Sequence, residues 1–181
     1  APRNFVDELV LKKWRKLGIA PSQSCSDNDF IRRVYLDCIG TLPTPAETRE
    51  FVANSAPDKR DQLVDRVLQR NEYASFWAVK WGDLLRNKRR YGDGYKRGTY
   101  AFAAWIRDAF VQNMPYDQFA KELLVAKGST LQNPAANFYR TAGDTNECVE
   151  TISQVFLGAR LQCAKCHNHP FERWTQDNYY G

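Results

Sequence analysis

Apolar side chains recur along almost the whole chain at three- and four-residue spacings, the period that gathers them on one face of an α-helix. Phe5, Leu9, Trp14 and Leu17 predict a helix over 5–17 that ends at Gly18, ahead of Pro21. Ser26 or Asp27 can cap a second helix, whose stripe of Phe30, Val34 and Cys38 stops at Gly40. Thr44-Pro45-Ala46-Glu47 is a capping box with proline at the first helical position, so a third helix begins there. A fourth, from Asp58 to about Gln69, shows Leu63, Val67 and Leu68 on one face.

The next predicted helix, 71–88, holds Tyr73, Phe76, Trp77, Trp81, Leu84 and Leu85, an aromatic content that places it at the centre of the core. A loop carrying Gly92, Gly94 and Gly98 should follow, then helices over 100–112 and 116–127, parted by Asn113-Met114-Pro115 and closed by Gly128. Residues 132–140 have no period and predict an ordered, functional loop. Val149, Ile152, Val155 and Phe156 mark a helix over 145–157. Pro170 excludes regular helix beyond His169, and Thr175 caps a last, short helix. No strand pattern or internal repeat interrupts this series. The expected fold is mainly α, an irregular single domain of several helices over 1–181, with long loops around its site.

Composition narrows the function. A chain of 181 residues, 43% of them hydrophobic, can bury a core, and no stretch reaches the roughly 18 apolar residues that span a bilayer. The net charge of +5 does not point to nucleic acid, because lysine and arginine are interleaved with acids over most helices as solvated faces. The denser run Arg86-Asn87-Lys88-Arg89-Arg90 suits a helix end, and can also meet an acidic redox partner or the propionates of a porphyrin.

The chemistry concentrates at Cys163-Ala164-Lys165-Cys166-His167. Two thiols three residues apart project from the same side of one helical turn, where each can add to a vinyl group of one porphyrin, and the adjoining His167 reaches the iron as proximal ligand. This is the pattern of covalent haem c attachment. Two rivals share the residues. A thioredoxin-like redox pair needs a strand before it, whereas the run before Cys163 reads as helical. A structural zinc module would take Cys163, Cys166, His167 and His169, with Cys148 or Cys25 completing the shell. Of the remaining cysteines, Cys38 reads as a small core residue, while Cys25 and Cys148 stay open between free thiol and disulfide.

The iron's second ligand decides between carrying electrons and binding small molecules. His169, two residues past His167, should stay on the proximal side, where it can donate a hydrogen bond to a propionate. Met114, the only methionine, is the candidate distal thioether, with Cys25, Cys148, Tyr139, a lysine or water as alternatives. Two functions follow. One is a mono-haem electron-transfer module, with Arg160 and Arg173 available for propionates or docking of a redox partner. The other is a five-coordinate haem enzyme or sensor for peroxide, oxygen or nitric oxide, with Phe138, Tyr139 and Arg140 as its distal wall.

Five segments in order carry a family resemblance: 29–37 with 40–45, then 113–119, then 137–140, then 155–158, then 162–171 with Trp174-Thr175-Gln176. Together they resemble the planctomycete cytochrome c-associated domain of unknown function, over nearly the whole chain. The resemblance implies a periplasmic or cell-surface module of a larger exported redox protein, partnered by neighbouring domains of the same polypeptide and with its export signal outside these residues.

Overall fold

Side-chain caps fix where the first helices begin. Helix α1 (Phe5–Lys16) starts on Asn4, whose Oδ1 accepts from the N–H groups of Val6 and Asp7 at 3.0 and 3.1 Å. Helix α2 (Asp27–Ile39) starts on Ser26, and α3 (Pro45–Ala53) on the Thr44–Glu47 capping box. In the computed structural model, residues 2–88 and 93–181 are described, and they form ten α-helices, two 3-10 turns and no strand. The mainly α expectation holds.

Helices α2, α3 and α4 (Lys59–Leu68) enclose the first core, in which Ile31, Tyr35, Ile39, Phe51, Leu63 and Val67 are buried and Cys38 packs at the margin. Charge pairs lace its rim: Asp27 meets Lys59 at 2.6 Å and Arg60 at 2.7 Å, and Arg70 meets Glu47 at 2.8 Å. Gly40 ends α2 in the left-handed region at φ +70°, and a Cβ there would collide with the Phe76 ring, so the chain turns closely under α5 (Asn71–Leu84).

The second core lies between α5, α6 (Asp93–Val111), α7 (Tyr116–Leu124) and α8 (Asn137–Thr141), with Phe102, Ile106, Leu123 and Phe138 fully buried. Trp81 and Trp105 pack on Phe119 with ring centroids 5.1 and 5.0 Å away. Its axis is α6 rather than the aromatic α5, of which only Ala74 is buried, while Val79 and Leu84 face solvent.

Three sequence expectations change here. Helix α5 stops at Leu84, four residues early. Arg86 adopts φ +57°, and the N–H groups of Arg86 and Asn87 return to the Asp83 and Gly82 carbonyls at 3.0 and 2.7 Å, a Schellman stop with arginine where glycine is usual. The expected glycine loop is instead the start of α6 from Asp93, with Gly92 outside the described residues. A Cβ on Gly98 would lie 2.7 Å from Asn137 Oδ1 and 3.0 Å from Thr130 Oγ1, so this glycine serves close approach inside a helix, not a turn. The aperiodic segment 132–140 folds as a 3-10 turn (Pro134–Ala136) running into α8, and Ala135, Ala136, Asn137 and Phe138 are buried. Elements of three and five residues are too short for a 3.6-residue period to show.

Candidate functional site

Helix α9 (Thr145–Phe156), capped by Asp144, leads towards the cysteine motif but does not reach it. Gly158 turns left-handed at φ +65° and the Ala159 N–H returns to the Ser153 carbonyl at 3.0 Å, so residues 157–161 cross as a non-helical link. The sequence expected helix there; the glycine ends it. The chain then makes a 3-10 turn, Gln162–Lys165. The N–H groups of Cys166 and His167 both point to the Cys163 carbonyl at 3.4 Å, which sets the motif on a single turn, as the spacing anticipated.

Orientation of that turn is decided by its smallest side chain. Ala164 is 0% exposed and packs with Leu161 and Tyr179, flanked by Val149 and Trp174. With Ala164 inward, Cys163, Cys166 and His167 are all exposed, and both thiols are free. Helix α10 (Gln176–Tyr180) clamps the turn from the other side. Gln176 Nε2 and Tyr180 Oη both donate to the Lys165 carbonyl at 3.1 Å, and Asn168 Oδ1 accepts the Gln176 N–H at 3.1 Å. Glu150 of α9 accepts from Tyr179 Oη at 2.7 Å and Gln162 Nε2 at 3.2 Å, stapling helix, turn and α10 together. Burial, followed by this bond to Glu150, pushes the Tyr179 phenol up to about 12.

The two imidazoles are held in opposite tautomers. His167 Nδ1 lies 2.7 Å from the Asn168 carbonyl, which can only accept, so the proton sits on Nδ1 and the Nε2 lone pair is left outward. His169 Nδ1 instead accepts the N–H groups of Phe171 and Glu172 at 3.3 and 3.0 Å, which fixes the neutral-ring proton on Nε2 as a donor. His169 also donates its backbone N–H to the Trp174 carbonyl at 2.8 Å, closing the loop through Pro170. At the tip of that loop Phe171 is 92% exposed, and Leu157 on the link before the motif is 69% exposed.

Other residues singled out by sequence lie in different surroundings. Tyr139 donates its hydroxyl to the Leu124 carbonyl at the end of α7, and Arg140 donates to Thr130 Oγ1 at 3.0 Å beside Gly98. Met114 packs at the α6–α7 corner, in a pocket shared with Tyr73, Trp81, Phe110, Tyr116 and Phe119 and with no residue of the motif. Arg160 and Arg173 are exposed, Arg173 lying 5.2 Å over the Trp174 ring. Arg86 pairs with Glu147 of α9 at 3.0 Å, whereas Arg89 and Arg90 lie outside the described residues. Cys148 is buried in the second core and Cys25 lies beside Arg60 and Phe30, so neither adjoins the motif, and both are free thiols. Among the described residues no three His, Cys, Asp or Glu side chains gather as a metal cage.

Sequence reasoning did not single out Ala164, Asn168, Glu150, Gln176 or Tyr179, which orient the turn. The Thr175 cap was the one local signal near them, and the structure completes it as a capping box with Asn178.

Among the described residues no helix is long and apolar enough to cross a membrane. Comparison with curated proteins and with solved structures returns no match. A family model does match, over residues 5–181, and its description is PSCyt2, protein of unknown function (DUF1549). With that match spanning nearly every residue, the chain belongs to the DUF1549 family.

Proposed function

We propose that this chain is a mono-haem c-type cytochrome module, passing single electrons within a larger exported, periplasmic or cell-surface redox protein. The observation that carries the proposal is the outward turn of the motif: two free, exposed thiols and an imidazole with its Nε2 lone pair outward, all on one turn above the buried Ala164. That donor set fits haem c, for which Cys163 and Cys166 would supply the two thioether sulfurs and His167 the proximal nitrogen. Bound there, the haem would supply a reversible one-electron couple.

The surrounding residues have matching work. The Asn168 carbonyl fixes the His167 tautomer and ring plane. His169, with its proton on Nε2, is in the form that donates to a propionate, and Arg160 and Arg173 are exposed cations within the same segment. Phe171 and Leu157 present apolar surface that a porphyrin would cover. Tyr139 and Arg140 are committed to α7 and to Thr130, which favours electron transfer over a ligand-binding site walled by these two side chains.

The test is the absorption of the reduced protein, matured in a host with haem-attachment machinery, with and without carbon monoxide. A six-coordinate electron carrier gives a haem spectrum that carbon monoxide leaves unchanged over minutes. Rapid carbon monoxide binding would transfer the case to a small-ligand enzyme or sensor, and a colourless, zinc-loaded protein would replace it with a structural metal module.

A further inference from the structure

The seam between the two cores opens into a cleft of about 530 Å³, inside the range of roughly 300–1,000 Å³ that small-molecule sites occupy. Two helix corners line it. At the first, α4 ends and Arg70 starts α5, so that Asp65 and Gln69, one turn apart, share the rim with Asn71. At the second, α6 ends: Asn113 takes a left-handed φ of +48°, which asparagine tolerates, and the Met114 N–H returns to the Ala109 carbonyl at 2.8 Å. Between the corners the lining is aromatic. Tyr73, packed against the first core, and Phe110, packed against the second, meet at 78° with ring centroids 6.2 Å apart, so one ring makes a floor and the other a wall.

The polar groups of this cleft have no work inside the protein. The side chains of Asp65, Gln69, Asn71 and Asn113 are exposed, and they and the Tyr73 hydroxyl make no hydrogen bond or ion pair among the described residues. In the smaller cleft around Glu47, by contrast, Glu47, Glu50, Arg66 and Arg70 are all paired. Charge narrows the ligand. Arg70, the cation at the rim, is neutralised by Glu47 and Glu72 at 2.8 and 2.7 Å, and the free Asp65 carboxylate opposes an incoming anion. Side-chain amides and a phenol both donate and accept, as hydroxyl groups do, and a carboxylate accepts from two neighbouring hydroxyls at once. The negative face of an aromatic ring attracts the C–H face of a saturated ring. We infer that the cleft binds a neutral saccharide, with one pyranose stacked in the corner of Tyr73 and Phe110 and its hydroxyls held by Asp65, Gln69, Asn71 and Asn113. This binding goes beyond the haem reading and does not depend on it, since none of the lining residues belongs to the motif segment.

The experiment is calorimetric titration of the 181-residue chain with cellobiose, maltose and lactose, and with glucuronate and adenosine as charged and aromatic controls. At least one disaccharide should bind with a dissociation constant on the order of a millimolar, ahead of both controls. Asp65→Ala should weaken that binding about tenfold, and Tyr73→Phe, which keeps the ring and removes the hydroxyl, about fivefold. Asn113→Gly preserves the left-handed turn and should also cost about fivefold. Circular dichroism should be unchanged in all three, because Asp65 and Asn113 are exposed and the Tyr73 ring is retained. The Cys163→Ala/Cys166→Ala double variant should bind as the parent does, which separates this result from the fate of the haem proposal. Absence of binding by all three disaccharides, preference for glucuronate or adenosine, or an affinity indifferent to Asp65→Ala and Asn113→Gly would overturn it.

Discussion

The α2–α4 bundle and the segment 157–181 are built on opposite plans. The bundle buries six large side chains from three regular helices and rims them with ion pairs between Asp27, Lys59 and Arg60 and between Glu47 and Arg70. The motif segment buries three residues, Leu161, Ala164 and Tyr179, and relies on hydrogen bonds between side chains and loop carbonyls to hold its shape. In the first region sequence is spent on burial; in the second it is spent on turning reactive groups outward. A thin core leaves Cys163, Cys166 and His167 accessible, and a porphyrin fixed to them would add the apolar contact the segment lacks.

The contrast can be broken most severely in the bundle. Leu63→Ala removes a side chain 2% exposed and should destabilise the fold by roughly 2–5 kcal/mol, read from the shift of the urea midpoint. A cost below about 1 kcal/mol would mean that the bundle collapses around the cavity and is not the rigid partner of the pair.

Ala164→Leu tests the thin core from the other direction. The added methylenes have no space beneath the turn and should cost about 1–3 kcal/mol. Phe171→Ser, two turns away in sequence and fully in solvent, should change stability by less than about 0.5 kcal/mol. Equal effects from the two substitutions would show that Ala164 does not set the orientation of the thiols.

Acid and alkali should separate the regions as well. The backbone N–H of Thr44, followed by the Thr44 hydroxyl, Tyr35 and Arg70, holds Glu47 down to about 2. A carboxylate whose pKa falls on folding contributes stability above its unfolded value near 4.5, and that contribution is lost as pH drops from there towards 2. The loss should be no more than about 1 kcal/mol, since 33% of the side chain stays in water, and it should vanish in Glu47→Gln. Tyr179 behaves in the opposite sense. Its phenol ionises near 10.0 in the unfolded chain and about 12 in the folded one, so its contribution is intact below 10 and is lost as pH rises through 12. Hydrogen exchange across a pH series should therefore open the motif segment first in alkali, an order that Tyr179→Phe removes. Opening of both regions at the same pH edge would contradict their separate construction.

What the sequence revealed follows the range over which each feature is decided. The Ser26 cap, the Thr44–Glu47 box and the glycine stop at Gly40 are settled within four residues, and all were legible. Gly98 was misassigned because its neighbours are Asn137 and Thr130, more than thirty residues on, and nothing beside it in the chain marks that approach. The αL turn at Arg86 was equally hidden, since an arginine there depends on the burial of Leu85 and the pairing with Glu147. At the site the pentapeptide was plain. The inward Ala164 and the opposed tautomers of His167 and His169 were not, because backbone carbonyls and N–H groups set them through a fold that spacing does not encode.

The most direct test of the central claim is mass spectrometry of the denatured chain and its peptides after maturation in a host with haem-attachment machinery. The account predicts the mass of one haem retained on the peptide that holds Cys163 and Cys166, and absent from the Cys163→Ala/Cys166→Ala variant. An unmodified peptide whose two thiols both alkylate would contradict it.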